Sequence, residues 1–369
     1  MADTISLWDA SSSADFLRSL IERRSLADTI LSITDQSWSL DQSELEPDGL
    51  EAIVEAAKSL DLPEKETWIK ALENGTTDAI LALILYLTPN LQELSLVIPY
   101  MEEKTKSLVW KLFNVAGQAG SSSEFHNFSS LEIIKGQHWD TEDGFDMGVL
   151  AVCFRLPSLR KVEAFACSSE NEIDEGDWPE KFSEVDTLSF EFSDMDESSI
   201  GAIVASCKAL KSFSCQWGPA TVGASEFTIP GIADALRSQK HSLEQLTLDA
   251  REAFAIETAE EEFEAIGSLK DFEKLASLTL SSVFLSGSDD NEDYDPPELT
   301  DILPSTLKDL KILGRAERLL DQVKAFAQVC EADIPTLDVL ILENWSDNAE
   351  EQQQLLDDFS RAGVKCSVK

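Results

Sequence analysis

The segment Leu87-Thr88-Pro89-Asn90-Leu91-Gln92-Glu93-Leu94-Ser95-Leu96 changes periodicity partway along. Upstream of it, Ile80, Leu83, Ile84 and Leu87 recur at helical spacing. Downstream, Leu91, Leu94 and Leu96 form a short pattern whose end alternates apolar and polar residues, as a half-buried strand does. One helix, one turn and one strand are thus written in under twenty residues.

The same Leu-x-x-Leu-x-Leu pattern returns along the chain, in nine copies of varying fidelity. They are Leu91-Leu94-Leu96, Leu131-Ile134-Gly136, Leu159-Val162-Ala164, Val185-Leu188-Phe190, Leu210-Phe213-Cys215, Leu243-Leu246-Leu248, Leu275-Leu278-Leu280, Leu307-Leu310-Ile312 and Leu337-Leu340-Leu342. A weaker tenth starts at Ile30, with Ile33 after it. The last four copies start at 243, 275, 307 and 337, steps of 32, 32 and 30, while the step from 91 to 131 is 40 and holds an insertion. Ile232, Ala235 and Leu236 precede the copy at Leu243 at helical spacing, so the unit there is again helix, turn, strand. Such a unit cannot cover its own apolar face, and units must stack.

The pattern predicts an α/β fold, a leucine-rich-repeat solenoid with a parallel inner sheet and outer helices. Three segments are expected: 1–76 as an N-terminal helical cap with a first degenerate repeat, 77–345 as the array, and 346–369 as a C-terminal helix and strand. The consensus asparagine that ties neighbouring turns is missing, its place taken by Pro99, Trp139, Arg251, Val283 and Trp345 in five copies. An irregular horseshoe of unequal units is therefore expected.

Composition narrows the function. With 369 residues, 43% hydrophobic and 27% charged, the chain can bury a large core. Its 70 acidic and 29 basic residues give a net charge of -41, which argues against nucleic acid; the acidity either keeps a long solenoid soluble, the leading reading, or attracts a basic protein partner. The six cysteines form no CxxC pair and sit mostly in apolar patterns, as in a reducing compartment. No run of about 18 apolar residues and no basic leader is present. A monomer of the cytoplasm or nucleus, free of the membrane, is expected.

Leu87 to Leu96, Leu156-Pro157-Ser158-Leu159 and the helix Phe16 to Arg23 leading to Ile30 and Ile33 make the chain resemble the repeat region of fungal F-box/leucine-rich-repeat proteins. The likeness extends through most of the chain. In that family an F-box docks a ubiquitin-ligase adaptor and the repeats capture a substrate. Here only Met1 to Asp15 precede the opening helix and no F-box is evident, so only substrate capture carries over.

In such strands the leucines point inward and the residues between them line the concave face. The central copies place Thr187, Ser189 and Glu191; Ser212, Ser214 and Gln216; Gln245, Thr247 and Asp249; and Ser277, Thr279 and Ser281 there. This floor is rich in hydroxyls and lacks the large anchors typical of binding hot spots. Trp139, Trp217 and Trp345 follow their strands, with Phe165 on an outward row. They either rim a pocket or pack against the next turn.

Acidic runs at Glu170 to Asp177 and Asp289 to Asp295 read as solvated loops, and Ala259 to Leu269 as a helix with an exposed acidic face. Asp289, Asn291 and Asp293 imitate the start of a calcium loop. Tyr294 replaces its glycine and Thr300 its bidentate glutamate, so no metal is expected. The three histidines, His126, His138 and His241, fit no zinc pattern. His241 reads as an exposed turn residue, and His138 as a surface histidine beside a packed Trp139. No nucleophile elbow or nucleotide-binding glycine loop appears, and no cofactor is expected.

Function therefore rests on binding. The leading expectation is a protein-binding scaffold that uses its concave face. The alternatives are a substrate receptor of a cullin-type ubiquitin ligase with a degenerate F-box, and an enzyme built on a repeat fold.

Overall fold

Each Leu-x-x-Leu-x-Leu copy ends on a β-strand, because its alternating residues can bury one edge of an extended chain while the other faces water. The computed structural model describes residues 3–40, 50–99, 106–118, 125–139, 144–169, 178–218, 227–253, 264–287, 294–314, 317–345 and 348–369. The chain divides into two compact units, the first comprising Met1–Asp140, Gly144–Cys167 and Phe182–Val185 and the second Thr141–Asp143, Ser168–Lys181 and Asp186–Lys369.

In the first unit five parallel strands pair in chain order: β1 Asp3–Leu7, β2 Ile30–Asp35, β3 Glu93–Val97, β4 Ile133–Gln137 and β5 Lys161–Phe165. In the second unit seven parallel strands do the same: β6 Thr187–Ser193, β7 Ser212–Trp217, β8 Gln245–Asp249, β9 Ser277–Ser281, β10 Asp309–Leu313, β11 Val339–Glu343 and β12 Lys365–Val368. Parallel neighbours need a crossover between them, supplied in most repeats by a helix and, between β8 and β9, by described residues without one. The inward leucine-type positions are fully buried; Leu246, Leu248, Leu278, Leu280, Leu310, Ile312, Leu340 and Leu342 are all 0–1% exposed. Each contributes about 2 kcal/mol of apolar burial, which is the main term holding the strands to their helices.

Departures from the repeat pattern have local causes. At Gly136, where a leucine is usual, a side chain would collide: an added Cβ would lie 2.8 Å from Ile98 Cδ1 and 2.9 Å from Phe145 Cζ. Phe145, from the segment after the strand, fills the leucine's place. The helix expected over Ala259 to Leu269 is not formed in its described part. Glu264 to Leu269 is irregular, and the Ile266 and Leu269 amides donate to Phe284 O and Ile302 O, each at 2.8 Å, in place of their own turn. Residues 259–263 lie outside the described residues.

Other side chains do the work of the missing asparagine. One residue ahead of the first leucine position, a short polar side chain reaches back to a carbonyl near the preceding turn. Asn90 donates to Asp28 O (2.8 Å), Ser158 to Phe128 O (2.8 Å) and Thr306 to Leu275 O (2.8 Å). The Thr336 hydroxyl lies 2.8 Å from Ser305 O and 2.7 Å from Leu307 O. Thr336→Val keeps the shape and removes this bond, and we expect it to lower the unfolding free energy by about 1 kcal/mol in urea titrations.

The strongest brace is Gln239, only 2% exposed. Its amide nitrogen donates to Val204 O (2.9 Å) and Cys207 O (2.8 Å), and its oxygen accepts from Leu210 N (2.9 Å) and the Ser242 hydroxyl (2.9 Å). One side chain thus satisfies three backbone groups of the preceding repeat.

Two buried carboxyls organise the first unit. Asp78, in the first turn of the helix Thr77–Leu87, accepts from Trp38 Nε1 (2.9 Å), the Ser107 hydroxyl (2.7 Å) and Leu108 N (2.6 Å). It thereby joins that helix to Leu108–Gly117, while Trp38 and Trp110 meet edge to face at 5.0 Å. Asp35 closes β2, is 0% exposed and accepts from Ser37 N (2.9 Å) and the Ser37 hydroxyl. Burial outweighs these bonds and raises its pKa to about 6.

Candidate functional site: the open strand face

Because the strands of the second unit pair in register, their outward side chains form rows across the sheet. One row reads Thr187, Ser212, Gln245, Ser277, Asp309, and the next Ser189, Ser214, Thr247, Thr279, Lys311. Neighbours in a row stand about 4.8 Å apart, so Ser189 to Thr279 spans about 14 Å of uninterrupted hydroxyls. The sequence placed all of these except Asp309 and Lys311 on one face, and the pairing aligns them in register there.

Their bonding capacity is largely unused. Among the described residues, no intramolecular hydrogen bond engages the hydroxyls of Ser189, Ser214, Thr247, Ser277 or Thr279. Thr187 donates to Asp186 Oδ1 (3.0 Å) and Ser212 weakly to Gln245 Oε1 (3.4 Å). Gln216 is half-exposed at the end of the hydroxyl rows. The arrangement offers donors and acceptors to an external chain and supplies no nucleophile with a neighbouring base.

Asp249 stays in register with Gln216 on the outward parity but is covered there. It is 7% exposed and accepts from the Ser281 hydroxyl (2.9 Å) and from Arg251 Nε (3.0 Å) and Nη2 (2.8 Å). Arg251 also reaches Glu343 Oε1 (3.3 Å), whose other oxygen pairs with Lys311 Nζ (2.6 Å). Burial pushes the Asp249 carboxyl up, but the bonds from Arg251 and Ser281 prevail and hold it below its ordinary value. The Lys311 bond does the same for Glu343, helped by Arg251. Both stay ionised near neutrality, so the network closes one border of the hydroxyl floor and removes Asp249 and Ser281 from it.

The aromatic residues divide by strand parity. Trp217 continues β7 on its inward side, is 2% exposed, donates to Met195 O (2.9 Å) and stacks on Phe227 at 4.8 Å. Trp345 is 0% exposed: Asn344, at φ 53°, takes the left-handed conformation and turns the next residue inward. Both pack and neither rims a pocket. Trp139 is 79% exposed and His138 only 7%, the reverse of the expected arrangement. His138 falls on the inward parity of β4, where Nδ1 lies 3.0 Å from Ile98 O, and Trp139 falls on the outward one. Phe165 is half-exposed on β5. Trp8, which the sequence reading passed over, follows the inward Leu7 and is 64% exposed. Continuing the alternation one residue past each strand would have found it.

His241 is exposed and pairs with Glu273 Oε1 at 2.9 Å. Glu170 to Asp177, and Asp289, Asn291 and Asp293 of the calcium-like run, lie outside the described residues. Among the described residues no cluster of His, Cys, Asp and Glu could hold a metal ion, and no helix is long and apolar enough to cross a membrane.

Two comparisons bear on this geometry. A family model described as a leucine-rich repeat domain matches residues 36–354. No curated protein matches the chain.

Proposed function

Because the chain belongs to the leucine-rich repeat domain family, we propose that it is a protein-recognition module whose second unit binds a partner across the hydroxyl rows of β6 to β9. In this reading residues 77–345 carry recognition, and 1–76 and 346–369 cap the array. The observation that supports it is the contiguous set of unengaged hydroxyls on four registered strands, the place where outward side chains of several repeats converge. Hydroxyls and amides of this kind adapt to a partner's polar groups, while the acidic shell steers a basic partner toward the protein.

The test is a double variant, Ser214→Arg with Thr247→Arg. The two residues are cross-strand partners and half-exposed, so the fold tolerates the change while the centre of the floor is filled. A partner captured by the native chain and identified by mass spectrometry should lose affinity by about 100-fold or more, with the melting temperature unchanged. Undiminished binding by this variant would move the site elsewhere. Capture of a cullin adaptor that persists in the double variant would favour the ligase-receptor alternative.

A further inference from the structure

In the first unit one outward row differs in kind from the hydroxyl floor. Val97 pairs with Gln137 and Gln137 with Phe165 across β3, β4 and β5. Leu7 pairs with Asp35, and Asp35 with Leu96, so Trp8 and Gln36, each one residue further on, continue the same row. Read across the sheet, the row is Trp8, Gln36, Val97, Gln137, Phe165. Trp139 stands two residues beyond Gln137 on the same parity. Trp8 and Trp139 are 64% and 79% exposed, and Val329 at 41% is the one other exposed large apolar residue among those described. Two indoles in water at one border of a sheet form the kind of surface that marks a contact site.

Charge selects the occupant. The lysines beside the strip are already neutralised, Lys135 by Glu93 (2.8 Å) and Glu163 (3.4 Å) and Lys161 by Glu163 (2.5 Å). Among the described residues, an anionic partner would meet these two lysines already paired, and it would meet a net charge of -41 on approach. A cationic partner is drawn in, and an indole face attracts a cation through its quadrupole. Among cationic side chains the guanidinium is planar, weakly hydrated and able to stack and to donate hydrogen bonds in its plane. Gln36 and Gln137 carry the amide oxygens to accept them.

We propose that this strip docks an arginine-rich segment of a protein partner, with guanidinium groups laid on Trp8 and Trp139 and hydrogen-bonded to Gln36 and Gln137. From β1 to β4 and two residues along the strand, the two indoles are rooted roughly 16 Å apart, about five residues of extended chain. The surface is separate from the hydroxyl rows, so failure of either reading leaves the other standing.

The experiment titrates the full chain with nona-arginine and with nona-lysine at physiological salt, read by calorimetry. The two peptides carry equal charge and differ in their ability to stack. The native chain should bind nona-arginine about tenfold more tightly. Trp8→Ala with Trp139→Ala should erase that preference, lowering nona-arginine affinity about tenfold and leaving nona-lysine affinity unchanged. Both side chains are exposed, so circular dichroism and melting temperature should match the native chain. Equal affinity for the two peptides, no binding of either, or an arginine preference surviving in the variant would each overturn the proposal. So would a native dimer that the double variant converts to monomer, since the strip's occupant would then be a second copy of the chain.

Discussion

Replacing Gln239 by leucine should lower the unfolding free energy by about 2–5 kcal/mol. Leucine fits the space but takes the Gln239 partner from Cys207 O and Leu210 N and costs Val204 O one of its two donors, the Cys207 amide remaining at 3.2 Å. Each stranded backbone group costs about 1–3 kcal/mol, because water cannot reach it and no alternative partner is near. Ser242→Ala, which removes one of the two donors to the Gln239 oxygen, should cost under about 1 kcal/mol by comparison. Urea unfolding of both variants checks this. A loss of less than about 1 kcal/mol for Gln239→Leu would mean that the neighbouring turns are held by apolar packing alone.

The second large effect concerns pH. Asp35 is raised from 3.8 to about 6 by burial, so the folded state holds its proton more tightly than the unfolded state does. Between pH 4 and 6 the folded chain binds more protons at this site, and the stability Asp35 contributes falls as pH rises through that window. The shift corresponds to about 3 kcal/mol, fully lost above pH 6 to 7. Asp35→Asn keeps an oxygen for Ser37 N and cannot ionise. Its stability relative to the native chain should therefore rise by about 2 kcal/mol from pH 4 to pH 7, other carboxylates cancelling in the difference. Parallel melting curves for the two proteins across that range would refute a buried, proton-retaining Asp35.

These effects also mark where sequence reading stops. The nine copies and the weak one at Ile30 all coincide with strands, because an alternating apolar pattern reports directly on which side of a strand is buried. The strand Asp3–Leu7 was missed, since five residues with two apolar ones carry too little pattern. The rows of Ser214, Thr247 and Thr279 were legible for the same reason as the core: parity within a strand is local. Asp249 was not, because its burial depends on Arg251 and on Glu343, which is 94 residues further along. Trp345 was not either, as a single left-handed residue reverses its parity. Gln239 looks like any surface glutamine in sequence. Only the placement of three backbone groups from the preceding repeat shows what it holds.

From β7 to β11 the pairing offset between successive strands is nearly constant: Ser212 faces Gln245 33 residues on, Gln245 faces Ser277 and Ser277 faces Asp309 each 32 on, and Asp309 faces Val339 30 on. A segment of that length could be duplicated or lost with only the two strand ladders at the junction to be remade, since each repeat touches only its neighbours. The width of the recognition surface would then be an inherited quantity that changes in steps of one strand, about 4.8 Å at a time, without redesign of the core. Lineages of such a chain can follow a growing or shrinking partner by counting repeats, leaving point substitution to adjust chemistry within each row.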